Sequence, residues 1–201
     1  MAKIKICGLT RPEDIYAVNA VKPDYIGFVF AESRRKIEVH QAAALRELLD
    51  NGITPCGIFV NETPEAVARA VHIGAIDIIQ LHGDEDEAYI RNLKTLTNAP
   101  IIKAISVQKH GDVQAWAATQ ADYLLLDSTG GGTGQSFDWG LIGEVEKPFF
   151  LAGGLNTDNV QTAIQTLNPF AVDVSSGAET DGRKDASKIK ALVQLVRSSR
   201  L

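Results

Sequence analysis

The sequence contains only two cysteines among its 201 residues, Cys7 and Cys56. Two are too few for a disulfide framework or a cysteine metal site, and this usage is typical of a reducing compartment. Positive charge is also scarce, because 20 lysines and arginines stand against 25 acidic residues and leave a net charge of −5. Binding to a phosphate backbone requires clustered lysine and arginine, so we expect no nucleic-acid partner.

Long apolar runs and several well-known motifs are missing as well. No run approaches membrane-spanning length, and the first residues, MAKIKICGLT, lack the apolar core of a signal peptide. We therefore expect a cytoplasmic protein with no membrane partner. The absence of a GxxxxGKS or GxxxxGKT motif argues against a bound nucleoside triphosphate. HExxH is absent and few histidines follow predicted strands, so we predict no metal site.

Short apolar segments recur about every 25 residues, which is roughly the length of one βα unit. Helical patterns lie between them, and strands that alternate with helices form parallel sheets. The pattern therefore predicts an α/β fold. The predicted strands are Lys3–Cys7, Tyr25–Phe30, Pro55–Val60, Ile76–Leu81, Ile101–Ser106, Tyr123–Leu126, Phe149–Ala152 and Ala171–Val174.

Eight helical segments complete the predicted units. They are Pro12–Val21, Val39–Leu49, a helix that opens at Thr63-Pro64, Asp84–Leu96, Gly111–Ala118, Trp139–Val145, Thr157–Leu167 and Asp185–Val196. The strands are apolar on both faces, and no GxGxxG follows the first of them. Both features favour a closed (β/α)8 TIM barrel over a doubly wound sheet. We predict a single compact barrel domain spanning residues 1–201.

Polar or glycine residues follow nearly every predicted strand, whereas the opposite ends carry ordinary turn residues such as Lys22-Pro23-Asp24. Active sites of such barrels lie at the carboxyl ends of the strands, so this asymmetry predicts one site there. The residues at these ends are Cys7, Arg34 and Arg35, Asn61, His82, Ser106, Asp127, Gly153-Gly154 and Ser175-Ser176-Gly177.

Two of these loops predict a phosphate site. They follow the seventh and eighth strands, where barrels commonly hold a phosphate through backbone N–H groups. Ordinary turns are the alternative. The candidate residues are Gly153, Gly154, Ser175, Ser176 and Gly177.

A glycine-dense loop, residues 130–134, follows the sixth strand. Without Cβ atoms it can bend sharply and approach an anionic ligand, with Gly132, Thr133 and Gly134 as a possible lid. A flexible connector is the alternative.

Cys7 and Asp127 are the candidate reactive groups. Cys7 either behaves as a small buried hydrophobe or faces the site, where nearby cations and N–H dipoles would lower its pKa towards neutrality. Asp127 either caps the next helix or exchanges protons with a ligand opposite Cys7. Cys7 and Cys56 should not pair, because their strands are two spacings apart, roughly 9.6 Å, beyond the ~7 Å Cα limit of a disulfide.

Arginine and histidine side chains at the strand ends are candidate substrate contacts. Either Arg34 or Arg35 would project over the site, where a guanidinium suits a carboxylate partner. His82 is either a ligand contact or the residue at which the next helix begins. The other three histidines fall on predicted helices or loops and are expected to be solvated.

The chain resembles the phosphoribosylanthranilate isomerase family along its whole length. The matching segments are KICGLT with Asp14, YIGFVF followed by Ser33 and Arg35, CGIFVN, IIQLHGDE, LLLDSTGGGTGQSFDW, FFLAGGLNTDNV, and VDVSSGAE followed by GRKD. The resemblance implies a cofactor-free Amadori rearrangement of a phosphorylated sugar–anthranilate in tryptophan biosynthesis. Cys7 would be the general base, Asp127 the general acid, and Arg35 the ligand of the anthranilate carboxylate. Asp173 either faces the site or supports a hydrogen-bond network, and the chain would act as a monomer or a homodimer.

Two other functions are compatible with a barrel of this kind. The histidine-pathway isomerase performs the same rearrangement on a different amine, but it resembles two half-barrels and uses an aspartate where this chain has Cys7. A non-catalytic sensor of a phosphate ligand would keep the glycine and serine loops, yet it would not need Cys7 and Asp127 together.

Overall fold

Eight parallel strands close into a barrel in which each strand lies beside its neighbours in sequence and β8 pairs with β1. This computed structural model describes residues 2–128 and 138–199, so the proposed lid residues Gly132, Thr133 and Gly134 lie outside the described residues. The predicted fold is confirmed. The strands are β1 (Lys3–Cys7), β2 (Tyr25–Val29), β3 (Thr54–Phe59), β4 (Ile78–Leu81), β5 (Ile101–Ser106), β6 (Tyr123–Asp127), β7 (Phe149–Leu151) and β8 (Ala171–Val174).

Helices follow six of the strands and pack around the barrel. Local capping marks where several begin: the side chains of Thr63, Asp86 and Asp185 accept hydrogen bonds from the first-turn N–H groups of their helices. The helices are α1 (Pro12–Val21), α2 (Val39–Glu47), α3 (Pro64–His72), α4 (Glu87–Leu96), α5 (Val160–Leu167) and α6 (Ala186–Ser198).

Two predicted helices are wrong. In place of the predicted helices Gly111–Ala118 and Trp139–Val145, the structure has single 3₁₀ turns, Gln114–Trp116 and Trp139–Leu141. Gly143 adopts φ 66° and Gly111 adopts φ 97°. Because this left-handed backbone cannot continue a right-handed helix, Gly143 ends the second segment just after its turn, and Gly111 cannot serve as the first helical residue of the other segment.

The buried core has two layers, because alternate residues of each strand face opposite sides of the barrel wall. Ile4 and Ile6 of β1 belong to the layer beneath the helices, and Cys7 belongs to the layer inside the barrel. The amino-terminal half of the interior is filled by aromatic rings, with Phe150 in edge contact with Tyr25 and Tyr123. The barrel interior is therefore packed with rings towards the amino-terminal ends of its strands.

A short antiparallel hairpin, β9 (Glu179–Thr180) and β10 (Arg183–Lys184), lies between β8 and α6. The sequence patterns did not predict it. The hairpin returns Glu179 and Lys184 to the open end of the barrel. Among the described residues, no helix is long and apolar enough to cross a membrane.

Candidate active site

A cavity of about 320 Å³ occupies the carboxyl end of the barrel. Its walls come from the ends of β1, β4, β6, β7 and β8 and from the loop after β2. The structure therefore brings together most of the residues predicted from strand ends. The predicted residues that line it are Cys7, Arg35, His82, Asp127, Gly153, Gly154, Asp173, Ser175 and Ser176.

Cys7 ends β1 and is held from three sides. The hydroxyl of Ser175 donates a hydrogen bond to the Cys7 carbonyl at 3.1 Å, and Gly8 turns the chain away with φ 86°. Gly27 on β2 is the register partner of Cys7, and a Cβ built on Gly27 would lie 2.7 Å from the thiol sulfur. The absence of a side chain at Gly27 therefore makes room for the thiol. Cys7 and Cys56 are both free, as predicted.

The predicted lowering of the Cys7 pKa is wrong. Burial raises the pKa of the thiol above its ordinary value of 9.0, the cation of Lys5 opposes this rise, and the carboxylate of Asp173 adds to it. The thiol is only 8% exposed, so loss of solvation outweighs the neighbouring cations.

Asp127 ends β6 and lines the same cavity as Cys7. The backbone N–H of Ser128 donates to its Oδ1 at 2.7 Å, and Nε2 of His82 lies 3.5 Å from its Oδ2. The other ring nitrogen of His82, Nδ1, lies 2.7 Å from the amide nitrogen of Gln80. The carboxyl group is therefore held by the N–H of the next residue, and the imidazole of His82 lies beside it.

Lys5 lies beneath the cavity and is fully buried. Its Nζ donates to Oδ2 of Asp173 and to Oε1 of Gln80, both at 2.8 Å. Burial opposes the charged form of Lys5, but the Asp173 carboxylate and the neighbouring thiols hold its pKa above the ordinary value. Oδ1 of Asp173 is buried and accepts no hydrogen bond from any described residue. Sequence reasoning missed Lys5 and Gln80, although the alternation in KIKIC and IIQL could have indicated polar residues facing inward.

Arg35, rather than Arg34, lines the cavity. Its Nε and Nη2 donate to the two oxygens of Glu179 at 2.6 and 3.0 Å, while Nη1 donates to none of the described residues. Arg34 also binds Glu179, but its side chain is 55% exposed against 13% for Arg35. One edge of the Arg35 guanidinium is thus held by the protein, and the other is available to a ligand.

Glu179 forms an ion pair with a third cation, because Nζ of Lys184 donates to its Oε1 at 2.7 Å. Burial raises the pKa of Glu179, but the hydrogen bonds from Arg35 and Lys184 outweigh it and leave the pKa below the ordinary value. Lys184 also donates to the carbonyl of Ser175, and burial lowers its pKa. The hairpin thereby ties the loop after β2 to the loop after β8.

The predicted phosphate loops divide into two groups. Gly153 and Gly154 adopt φ 85° and 65°, and their N–H groups donate to no acceptor in residues 2–128 or 138–199. Ser176 lines the cavity, whereas Gly177 does not. A Cβ on Gly177 would lie 2.0 Å from the carbonyl oxygen of Leu155, so this glycine allows the loop after β8 to pack on the loop after β7. The hydroxyl of Ser175 is occupied by Cys7.

His82 and Asp127 also line a neighbouring cavity of about 710 Å³ on the β3–β6 side. Asn61 and Ser106, two further predicted strand-end residues, contribute to this second cavity rather than to the first. Nowhere in the described parts of the chain do three histidine, cysteine, aspartate or glutamate residues lie where they could hold a metal ion.

The fold and the cavity define the class of the protein: it is a (β/α)8-barrel enzyme whose thiol, carboxyl group, arginine and glycine loops surround one small-molecule site. Residues 4–195 match the family model described as N-(5'phosphoribosyl)anthranilate (PRA) isomerase. The chain belongs to this family and is an isomerase.

Individual relatives agree. The chain is 48% identical over 202 residues to N-(5'-phosphoribosyl)anthranilate isomerase of Endomicrobium trichonymphae, covering 98% of this chain and 100% of the relative. It superposes on phosphoribosyl anthranilate isomerase of Thermus thermophilus with a TM-score of 0.89 at 32% identity, covering 98% and 100% of the two chains. A second solved isomerase, in complex with reduced 1-(o-carboxyphenylamino)-1-deoxyribulose 5-phosphate, gives a TM-score of 0.85 at 33% identity, covering 98% and 99%.

Proposed function

We propose that Cys7 is the general base and Asp127 the general acid in the isomerisation of N-(5′-phosphoribosyl)anthranilate. The chain catalyses this Amadori rearrangement, which yields 1-(2-carboxyphenylamino)-1-deoxyribulose 5-phosphate in tryptophan biosynthesis. The observation that carries the assignment of roles is that the thiol and the carboxyl group line one cavity and are contributed by strands on different sides of the barrel.

The proton transfers follow from this placement. Asp127 gives a proton to the ribose ring oxygen, the bond from C1′ to that oxygen breaks, and the nitrogen lone pair forms a protonated Schiff base. The Cys7 thiolate then removes the proton from C2′, and the electrons of that C–H bond neutralise the Schiff base to give an enolamine. Tautomerisation of the enolamine gives the ketone. One acid and one base on opposite sides of a fixed sugar are sufficient for both steps.

Four sets of groups would hold the substrate, two of them at its ends. The outer edge of Arg35 suits the anthranilate carboxylate, since a guanidinium can bind one carboxylate on each edge. The N–H groups of Gly153 and Gly154, with Ser176 beside them, suit the phosphate. Asp173 and His82 line the same cavity, where Asp173 would accept a hydrogen bond from a ribose hydroxyl and His82 would contact the substrate from the β4 side. The lid role of Gly132, Thr133 and Gly134 stays a prediction.

Two conservative substitutions test the assignment. Cys7→Ser and Asp127→Asn should each lower kcat by about 100- to 10,000-fold, the usual contribution of a positioned acid or base, with little change in KM. The assay is the loss of substrate fluorescence, with or without a chelator. Cys56→Ala is the matched control, because Cys56 is a buried thiol that does not line the cavity. Wild-type turnover in either active-site variant would refute that residue's role.

Assembly and location stay predictions. A monomer and a homodimer are both compatible with the substrate site described above, and sedimentation of the purified chain distinguishes them. The expected cytoplasmic location is tested by fractionation of cells that express the chain.

A further inference from the structure

A line of polar side chains crosses the barrel beneath the cavity: hydrogen bonds join Lys5, Gln80 and His82, and His82 lies beside Asp127. Lys5 Nζ lies 2.8 Å from Gln80 Oε1, Gln80 Nε2 lies 2.7 Å from His82 Nδ1, and His82 Nε2 lies 3.5 Å from Asp127 Oδ2. Lys5 and Gln80 are 0% and 1% exposed, so no solvent competes for the contact between them, whereas the His82 side chain is 28% exposed. Neither residue has a role in the acid–base chemistry described so far.

The chemistry of the groups fixes the direction of donation along this line. The ammonium group of Lys5 can only donate, so the Gln80 atom that faces it must be the amide oxygen. The amide nitrogen must then face His82 and donate to Nδ1. Nδ1 therefore carries a lone pair, since a proton there would point at the amide hydrogens. The remaining proton of a neutral imidazole lies on Nε2, which faces Asp127.

We propose that Lys5 and Gln80 are positioning residues that hold His82 in the Nε2–H tautomer, with its N–H directed at Asp127. The proposal rests on the assignment of Asp127 as general acid. It adds two residues that act on Asp127 through His82: Lys5, which does not line the cavity, and Gln80, which lines it but is only 1% exposed.

The tautomer matters because Asp127 changes charge during the reaction. After giving its proton to the ring oxygen, Asp127 is a carboxylate, and an N–H donor 3.5 Å away can close on it. The other tautomer would present a lone pair to the carboxylate and repel it. A neutral donor also places no full positive charge beside the acid before the transfer. The hydrogen bond thus strengthens as the transition state forms, which is where a contact increases kcat.

A purely structural role for the line is the alternative. Lys5 and Gln80 would then only satisfy each other and Asp173 inside the barrel. Their removal would lower the free energy of unfolding. It would leave the His82 tautomer unchanged and would not lower kcat selectively over KM. The two explanations therefore differ in a spectroscopic measurement.

The first test is ¹⁵N NMR of the ring nitrogens of histidine-labelled, full-length protein at neutral pH, with the His82 signals assigned by their loss in His82→Asn. In the wild type we expect Nε2 to carry the proton. In Gln80→Glu the new carboxylate accepts from both sides, so Nδ1 gains a proton. In Lys5→Met the amide of Gln80 is no longer oriented and signals of both tautomers appear. A wild-type proton on Nδ1 would overturn the proposal without any variant.

The second test is kinetic. Gln80→Glu and Gln80→Met should each lower kcat about 10- to 100-fold, the value of one hydrogen bond to a charged group, with KM little changed. Cys56→Ala perturbs the packing beside Gln80, since Cys56 Sγ lies 4.0 Å from Gln80 Oε1, and should keep both wild-type kcat and the wild-type tautomer. If a Gln80 variant folds and keeps the wild-type kcat and the wild-type His82 tautomer, the proposal is wrong. If neither Gln80 variant folds, the wild-type NMR spectrum decides. Retained turnover in Asp127→Asn would instead remove the acid assignment, whatever the tautomer of His82.

Discussion

Gly27→Ala should reduce turnover by displacing the Cys7 thiol. The added Cβ would lie 2.7 Å from the sulfur and 3.0 Å from Cδ1 of Ile58. Comfortable contacts between such atoms begin at about 3.5 Å, so the sulfur or the strand must move by roughly 1 Å. A displacement of about 1 Å at a reacting group costs about 100-fold in rate, and the overpacking costs about 1–3 kcal/mol of stability.

Gly57→Ala is the matched control for this prediction. Gly57 lies on the neighbouring strand β3, and its added Cβ would meet Ile76 at 2.6 Å and Phe30 at 2.8 Å, both away from the thiol. Both variants should lose stability in urea unfolding, but only Gly27→Ala should lose kcat in the fluorescence assay. If Gly27→Ala is destabilised as much as the control and still turns over at the wild-type rate, the thiol position is not what Gly27 protects.

Three further outcomes follow from the charges of the site. Because burial raises the pKa of Cys7, kcat/KM should still be increasing at pH values above the ordinary thiol pKa. This alkaline increase should disappear in Cys7→Ser. Glu179→Gln leaves buried cations without their carboxylate, so it should lower the free energy of unfolding by about 3–5 kcal/mol and raise KM through misplacement of Arg35. Burial raises the pKa of Cys56 to about 12. As the pH rises from the ordinary thiol pKa of 9.0 towards 12, the free energy of unfolding should therefore fall by about 1.4 kcal/mol per pH unit. Cys56→Ala should flatten this decline in alkaline urea titrations.

The barrel and the residues of its cavity could be predicted because both depend on local patterns. Each strand is a short apolar run bounded by turn residues, and a parallel barrel places all carboxyl ends on one face. This rule alone brings Cys7 and Asp127 together, 120 residues apart by their numbers, without knowledge of any contact. The helix predicted after β6 failed because helical spacing of apolar residues does not reveal the left-handed Gly143 that interrupts it, and the segment after β5 forms only the 3₁₀ turn Gln114–Trp116.

The ionic contacts could not be predicted, because they depend on the register of strands that are distant in sequence. Lys5 meets Asp173 only because β1 and β8 close the barrel with these two residues as partners. Arg34 and Arg35 meet Glu179 only through a hairpin whose strands have two residues each, too short to give any periodicity. Sequence patterns identified groups that line the cavity, but not the ionic contacts that orient them.

The polar layer beneath the cavity explains why this interior is not apolar throughout. Replacing a buried ion pair by apolar residues of similar volume is often neutral or stabilising, so Lys5 and Asp173 are not needed to hold the barrel closed. The aromatic rings around Phe150 fill the interior below them. What the pair supplies is charge at a fixed place: a cation that opposes the rise of the Cys7 pKa, and an oriented amide that reaches the histidine beside Asp127. The proposed base and the proposed acid therefore depend on the same buried ammonium group, so a change at Lys5 should affect both proposed proton transfers even though Lys5 does not line the cavity.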